Sequence, residues 1–352
     1  MGCFDQHNVL TDDFDYILNS ELKVEQFKNQ NFFVTGATGF IGSLIIRFLL
    51  YANYKKNLNM HIYGMVRNLN KADSLYADYP KENLQFVVAH LGKNDLSLEG
   101  DIDYIIHTAA VTKSKQMVED PVGTIKTAVN GTEEILKFAV NKAVKSMVYV
   151  SSMEVYGQPI NSGKTTEKDL GYVDLTSSRS CYPEGKRMCE LLCTAFSDQF
   201  GLNVKIARLA QTFGAGVLPS ENRVFAQFAR SVIKHKDIVL HTEGNSEGNY
   251  VYSADAVKAL LYLLLKGDSK NAYNVSNENN HTTIKDMAQL VINNFGVKNE
   301  NVIIDIPKEN MGYAPDVHIW LSNEKLRNLG WKPNIDLVDS YSRLLTWLKY
   351  LS

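Results

Sequence analysis

Cysteine is scarce in this chain: Cys3, Cys181, Cys189 and Cys193 are all there are in 352 residues. That number is too small for a disulfide framework and suits a reducing cytoplasm. Cys189 and Cys193 are four apart on a predicted helix, so they share a face and read as small apolar core residues. A zinc site needs more ligands at recognisable spacing, and no metal is expected. No apolar run approaches the roughly 18 residues that span a membrane. The first thirty residues lack the charged-then-apolar pattern of a secretory leader. The opening Met1-Gly2-Cys3 invites a lipidation reading, but Gln6 stands where that signal needs Ser or Thr. Neither sign of charge prevails, since 37 Lys and Arg face 39 Asp and Glu. A basic excess for nucleic acid is missing, and so is an acidic tail. A small anionic ligand needs only a local site and stays open. Internal repeats and low-complexity segments are absent.

What is present is a large apolar fraction, 45%, enough for one large domain or two intimately joined ones. Residues 1–30 read as an extension, with a weak amphipathic helix over 12–27. From Asn31 the pattern alternates. Strands are expected at 32–34, 61–66, 84–88, 102–107, 146–151 and 204–209, and helices at 40–51, within 117–144 and at 181–200. Strands that are apolar throughout, separated by helices, imply a parallel sheet covered on both faces. The fold class is therefore α/β, a doubly wound Rossmann sheet with a smaller C-terminal α/β substrate-binding cap. The expected units are the extension, a dinucleotide-binding domain over 31–212, and residues 213–352. The last are mainly cap, with some segments returning to the first domain. In that half helices are expected at 222–234, 254–265, 284–295 and 337–348, and short strands at 238–241 and 272–275.

The strongest local signal is Thr35-Gly36-Ala37-Thr38-Gly39-Phe40-Ile41-Gly42, which follows a strand and opens a helix. Gly36 permits a tight turn, Gly39 lets the backbone approach a pyrophosphate, and Gly42 lets helix and strand pack closely. The helix N-terminus offers free N–H groups to the anion. The second strand ends in Met65-Val66-Arg67-Asn68, followed by Lys71, where NAD sites place a carboxylate. A guanidinium suits a 2′-phosphate, so NADP is favoured over NAD.

The second signal is Tyr182-Pro183-Glu184-Gly185-Lys186 at the start of a long helix. Spacing i, i+4 puts phenol and ammonium on one face, and a neighbouring cation is expected to lower the phenol's pKa. Tyr182 is then placed to exchange a proton with a substrate hydroxyl while hydride moves to or from a nicotinamide. Lys186 also suits the nicotinamide ribose. Thirty residues earlier a strand ends in Ser151-Ser152-Met153-Glu154-Val155-Tyr156-Gly157. Ser152 is placed for the same substrate oxygen, and Glu154 for acid/base or anchoring work.

These motifs, with His107-Thr108-Ala109-Ala110 between them, occur in the order of the extended short-chain dehydrogenase/reductases. Over residues 31–350 the chain resembles the NAD-dependent epimerase/dehydratase family. Within that family the nearest pattern is the UDP-glucuronate decarboxylase and dTDP-glucose 4,6-dehydratase group. The carriers are Cys181-Tyr182-Pro183-Glu184-Gly185-Lys186-Arg187, Ala207-Arg208-Leu209-Ala210-Gln211-Thr212-Phe213-Gly214 and Leu329-Gly330-Trp331-Lys332-Pro333. The resemblance implies a nucleotide sugar in the cleft and oxidation of its C4 hydroxyl by Ser152, Tyr182 and Lys186. Ala109 lies beside the cofactor, and two long helices per subunit pair in a homodimer. It also exposes departures. Dehydratases carry Asp-Glu where Met153-Glu154 stands, and a thioether cannot protonate a departing hydroxyl. Gln211 and Gln227 replace Asn. Gly248 occupies the place of an arginine near the pyrophosphate, and Tyr313 and Ala314 that of a second basic anchor. Arg223 is the candidate replacement. Ala128 stands for Asn, and an acidic residue usual near His90 is missing. Redox-neutral epimerisation or decarboxylation is the leading reading. A net NADP(H)-dependent sugar or carbonyl oxidoreductase is the alternative, and a non-catalytic dinucleotide sensor a third.

Overall fold

The computed structural model describes residue 4 and residues 7–159, 163–297, 299–307 and 316–351. Met1, Gly2, Cys3, Gln6, Tyr313, Ala314 and Pro315 lie outside the described residues. The chain begins with helix α1 (Val9–Leu18) and a 3-10 turn at Val24–Phe27. A single helix over 12–27 was expected, and the structure breaks it. Asn8 starts α1 earlier by a capping box: its Oδ1 accepts from the backbone of Leu10 and Thr11, and Thr11 Oγ1 accepts from Asn8 N. Ser20 ends it, its hydroxyl donating to Ile17 O and accepting from Leu22 N.

Then follow β1 (Asn31–Thr35), α2 (Phe40–Lys56), β2 (His61–Val66), α3 (Leu69–Leu75), β3 (Leu84–Val88), β4 (Tyr104–His107), α4 (Ser114–Glu119), α5 (Pro121–Asn141), β5 (Ser146–Ser152), α6 (Cys181–Phe200) and β6 (Val204–Leu209). The second half adds β7 (Gln211–Phe213), α7 (Val224–Ile233), β8 (Ile238–Leu240), β9 (Glu247–Tyr252), α8 (Ser253–Lys266), β10 (Ala272–Val275), β11 (His281–Thr283), α9 (Ile284–Phe295), β12 (Val302–Ile304), α10 (Glu324–Arg327) and α11 (Leu337–Leu351).

Seven strands form one parallel sheet in the order β10-β6-β5-β4-β1-β2-β3. This is the Rossmann order with β10 added at the edge. The direction of chain progress reverses between β1 and β4, which opens a crevice at the carboxyl ends of those strands. Residues 253–275 belong spatially to this sheet, since α8 packs on β5 and β6 and β10 pairs with β6. The cap holds a three-stranded sheet, β11-β9-β7, and the pair β12-β8.

Helix α2 is buried from Gly42 to Ala52 with no exposed face. A helix buried all round needs cover on both sides. The sheet covers one side and α1 the other, with Phe14 against Phe48 and Tyr51 at ring distances of 6.0 and 5.5 Å. Val9, Leu10, Phe14, Ile17 and Leu18 are buried there, each stabilising the fold by about 2 kcal/mol. The continuous core runs from this arm through α2 and α8 into the cap. A second cluster, including Cys189 and Cys193, lies under α5 and α6.

Candidate functional site

The glycine loop sits at the crevice. Gly36 has φ +70°, and a Cβ on Gly42 would stand 2.3 Å from Gly36 O. The turn and the helix therefore touch backbone to backbone, and only hydrogens fit between them. Gly39 caps α2, leaving the first amides, at Phe40 and Ile41, without intrahelical partners. Thr38 and Ile41 are half-buried beside them. The ends of β1 and β4 are knitted across the switch point. Thr108 Oγ1 donates to Thr35 O at 2.6 Å, and Ala109 N donates to Thr35 Oγ1 at 3.1 Å. This seats Ala109 against Gly36. Arg67 stands exposed at the end of β2, while Asn68 caps α3 through Lys71 N.

His107 lies beneath the crevice, fully buried, its Nδ1 2.7 Å from Thr35 Oγ1. Burial, and then the nearby Lys186, push its pKa down to about 3. The unfolded chain binds a proton below about pH 6.5 that the folded chain refuses. Stability should therefore fall as pH drops from 6.5 towards 3, by up to about 1.4 kcal/mol per pH unit. Urea unfolding of wild type and His107→Asn at pH 7 and pH 5 checks this. The variant should lose the part of the slope that His107 supplies, and equal slopes would refute the assignment.

β5 and α6 bring the catalytic candidates together. Ser152, the last residue of β5, sits beside the Tyr182 side chain from the first turn of α6, close enough for its hydroxyl to favour the phenolate. It also accepts from Glu154 N at 3.2 Å. Glu154 pairs with Arg179 at 2.9 Å, and the Arg179 guanidinium lies 5.7 Å from the Tyr182 ring centre. Lys186 is one turn deeper. Its Nζ donates to Val150 O at 2.7 Å and lies 6.0 Å from the Tyr182 ring centre.

That depth corrects the expected acidified phenol. Burial first, and then the Glu154 carboxylate, push Tyr182 up to about 12 despite Ser152, Arg179 and Arg223. Spacing i, i+4 placed Lys186 on the right face, but its ammonium lies 6.0 Å from the ring centre and donates to a sheet carbonyl. Burial in turn pulls Lys186 itself down to about 8.

The substrate-side candidates are less tightly gathered. Gln211 is half-buried at the start of β7, in register with Tyr250 of β9. Arg223 is near enough to act electrostatically on Tyr182, yet its guanidinium is held by Glu221 at 2.7 and 3.0 Å. Gln227 is exposed and bonds Asn222 O at 2.8 Å. A Cβ on Gly248 would lie 3.6 Å from Met153 Cε, so two of the departures from the family pattern face each other. His90 draws a carboxylate from elsewhere, its backbone N and Nδ1 bonding Asp95 at 2.8 and 2.9 Å.

Sequence reasoning missed two features. Arg179 has no periodic relation to Glu154. The second is a buried network in which Glu190 of α6 takes Arg208 of β6 at 2.7 Å and the Ser151 hydroxyl at 2.5 Å. Arg208 also donates to Tyr156 OH at 3.0 Å. The available signal was a charge in a strand apolar throughout, because a charge buried there must be paired.

Comparison with known proteins agrees with this geometry. Residues 32–276 match the NAD dependent epimerase/dehydratase family. UDP-glucuronic acid decarboxylase 6 of Arabidopsis thaliana is 28% identical over 88% of this chain and 86% of its own. Among solved structures, UDP-glucose 4-epimerase of Thermotoga maritima, with UDP-glucose, superposes with TM-score 0.77 at 21% identity, over 92% of this chain and 99% of that one. UDP-glucuronic acid 4-epimerase of Bacillus cereus, with UDP-glucuronic acid and NAD, gives 0.74 at 21% identity, over 92% and 100%. A glycine loop at the switch point, Ser152 on Tyr182, and a match across most of the sheet lead to one assignment: the chain is an enzyme of the NAD dependent epimerase/dehydratase family.

Proposed function

We propose that this enzyme oxidises the C4 hydroxyl of a nucleotide-linked sugar, epimerises or decarboxylates the ketone, and then restores the hydroxyl. The observation that carries this reading is the contact of Ser152 with Tyr182 at the carboxyl end of β5, one turn from Lys186. When bound, a nicotinamide dinucleotide supplies the hydride acceptor and donor. The bare backbone cradle fits such a group, since a Cβ on Gly42 would fill it. Gly36, Thr38, Gly39, Phe40, Ile41, Gly42 and Ala109 would hold its pyrophosphate, Arg67 its adenosine ribose, and Tyr182 and Lys186 its nicotinamide ribose. NADP is favoured because a guanidinium, not a carboxylate, ends β2.

Tyr182 moves the proton at the sugar hydroxyl, and Ser152 orients that oxygen. The ketone acidifies adjacent C–H bonds and eases loss of a carboxylate. Glu154, beside Tyr182, is the group for a C5 proton or carboxylate. Met153 has no proton to give a departing hydroxyl, which argues against 4,6-dehydration. Gln211, Arg223 and Gln227 line the substrate side, and Arg223 must leave Glu221 to reach a phosphate. The outer faces of α5 and α6 expose Val122, Ile125, Met188 and Leu191, a surface suited to a second copy of the chain. The buried free thiols suit a reducing cytoplasm.

The test is a melting-temperature screen of UDP-, GDP-, CDP- and dTDP-sugars with NAD or NADP, followed by turnover of the hits. A new sugar nucleotide formed without net change at 340 nm is the expected result. Stoichiometric NADPH consumption would transfer the assignment to a net sugar or carbonyl reductase, which Arg67 favours. Binding of the dinucleotide without turnover of any sugar would leave only a sensing role.

A further inference from the structure

We infer that the N-terminal helix is part of the substrate-binding apparatus, with Asp13 a positioning residue that acts through Tyr252 on the segment 211–217. Within four residues of α1, three side chains tie to different elements. Asp13 accepts from Tyr252 OH of β9 and from Arg343 of α11, both at 2.7 Å. Asp15 accepts from Tyr51 OH of α2 at 2.6 Å. Tyr16 donates to Asp255 of α8 at 2.5 Å and also meets Lys258 Nζ.

The tie through Tyr252 continues inward. Its hydroxyl proton goes to Asp13, which leaves a lone pair to accept Ala215 N–H at 3.2 Å. The two bonds polarise each other in a dry site. Ala215 lies four residues after Gln211, between Gly214 (φ +145°) and Gly216 (φ +90°), so the backbone there has little stiffness of its own. Its surroundings supply the stiffness. A Cβ on Gly214 would stand 2.4 Å from the Tyr252 ring, and one on Gly216 2.5 Å from Leu44 of α2. Ser253 Oγ donates to Ala215 O, and Trp347 Nε1 donates to Val217 O at 2.9 Å. The segment leaving β7 is thus seated between the cofactor helix and a tyrosine whose hydroxyl is oriented by the arm. A buried phenol that loses its carboxylate partner has no fixed direction for its proton, and Ala215 loses a fixed acceptor.

Only the functional meaning of Gln211 rests on the proposed reaction; the positioning itself can be read without a substrate. Amide hydrogen exchange is measured for wild type, Tyr252→Phe and Asp13→Ala. Tyr252→Phe keeps the Asp13–Arg343 pair and the packing of the arm. Asp13→Ala keeps the tyrosine. In both, exchange at Ala215 should quicken by about tenfold, with β1 amides at wild-type rates. With a sugar nucleotide identified as substrate, both variants should raise KM and leave kcat and dinucleotide affinity near wild type. Asp13→Ala that speeds exchange in α1 alone would overturn the inference. So would an equal rise across β1 and β5, which would mean a general loss of stability. A failed substrate screen would count against the proposed reaction while leaving the exchange result standing.

Discussion

Tyr182→Phe should lower turnover about 10³-fold, the usual contribution of a positioned proton-transfer group, with dinucleotide affinity unchanged. The substitution keeps the ring beside Arg179 and removes only the oxygen that Ser152 engages. A phenol is protonated at neutral pH in any case, and burial and then Glu154 make Tyr182 harder still to ionise. It is therefore poised as a donor, the role needed when the ketone is reduced back. The oxidation direction needs a cation to lower its pKa. Arg179 and Arg223 act in that direction but are outweighed by burial and Glu154, and the positive charge of an oxidised nicotinamide would add to theirs. Initial rates on the sugar nucleotide found by screening, with dinucleotide binding followed in parallel, decide the matter. Near-normal turnover in the phenylalanine variant would remove Tyr182 from the proton path.

Gly42→Ala should weaken dinucleotide binding by roughly a hundredfold. The added methyl would sit 2.3 Å from Gly36 O and 2.9 Å from Thr108 Oγ1. The neighbours include backbone, which cannot swing aside as a long side chain can. Relief requires α2 to move off β1 or the turn to open, and either displaces the amides at Phe40 and Ile41. Overpacking of this kind costs about 3 kcal/mol, equivalent to roughly a hundredfold in affinity if charged to the bound state. Fluorescence titration with NADPH and NADH measures it, and circular dichroism shows whether the fold is kept. Wild-type affinity in the alanine variant would mean that the loop does not hold the pyrophosphate.

The inner strands were legible because β1, β4 and β5 are buried along almost their whole length and so carry apolar runs, Phe32–Val34, Tyr104–Ile106 and Met147–Val150. Of the four three-residue cap strands, β8 was expected from the sequence and β7, β11 and β12 were not. Three residues display no period, and such strands exist only through their partners. The glycine loop could be placed from sequence because strand, turn and helix are contiguous. Lys186 illustrates the converse. Helical spacing fixes direction around an axis but not which acceptor lies at the end of a long side chain. Glu154 and Arg179 meet because a 25-residue excursion returns to the crevice, and no local rule anticipates that.

Sheathing of α2 by α1 has a practical corollary. A chain trimmed to begin at β1, as its domain pattern invites, would bare Phe48 and Tyr51 as an oily stripe on the helix that carries the glycine loop. Loss of activity in such a shortened protein would record self-association as readily as chemistry, so the leading residues belong in any sample meant to report on catalysis.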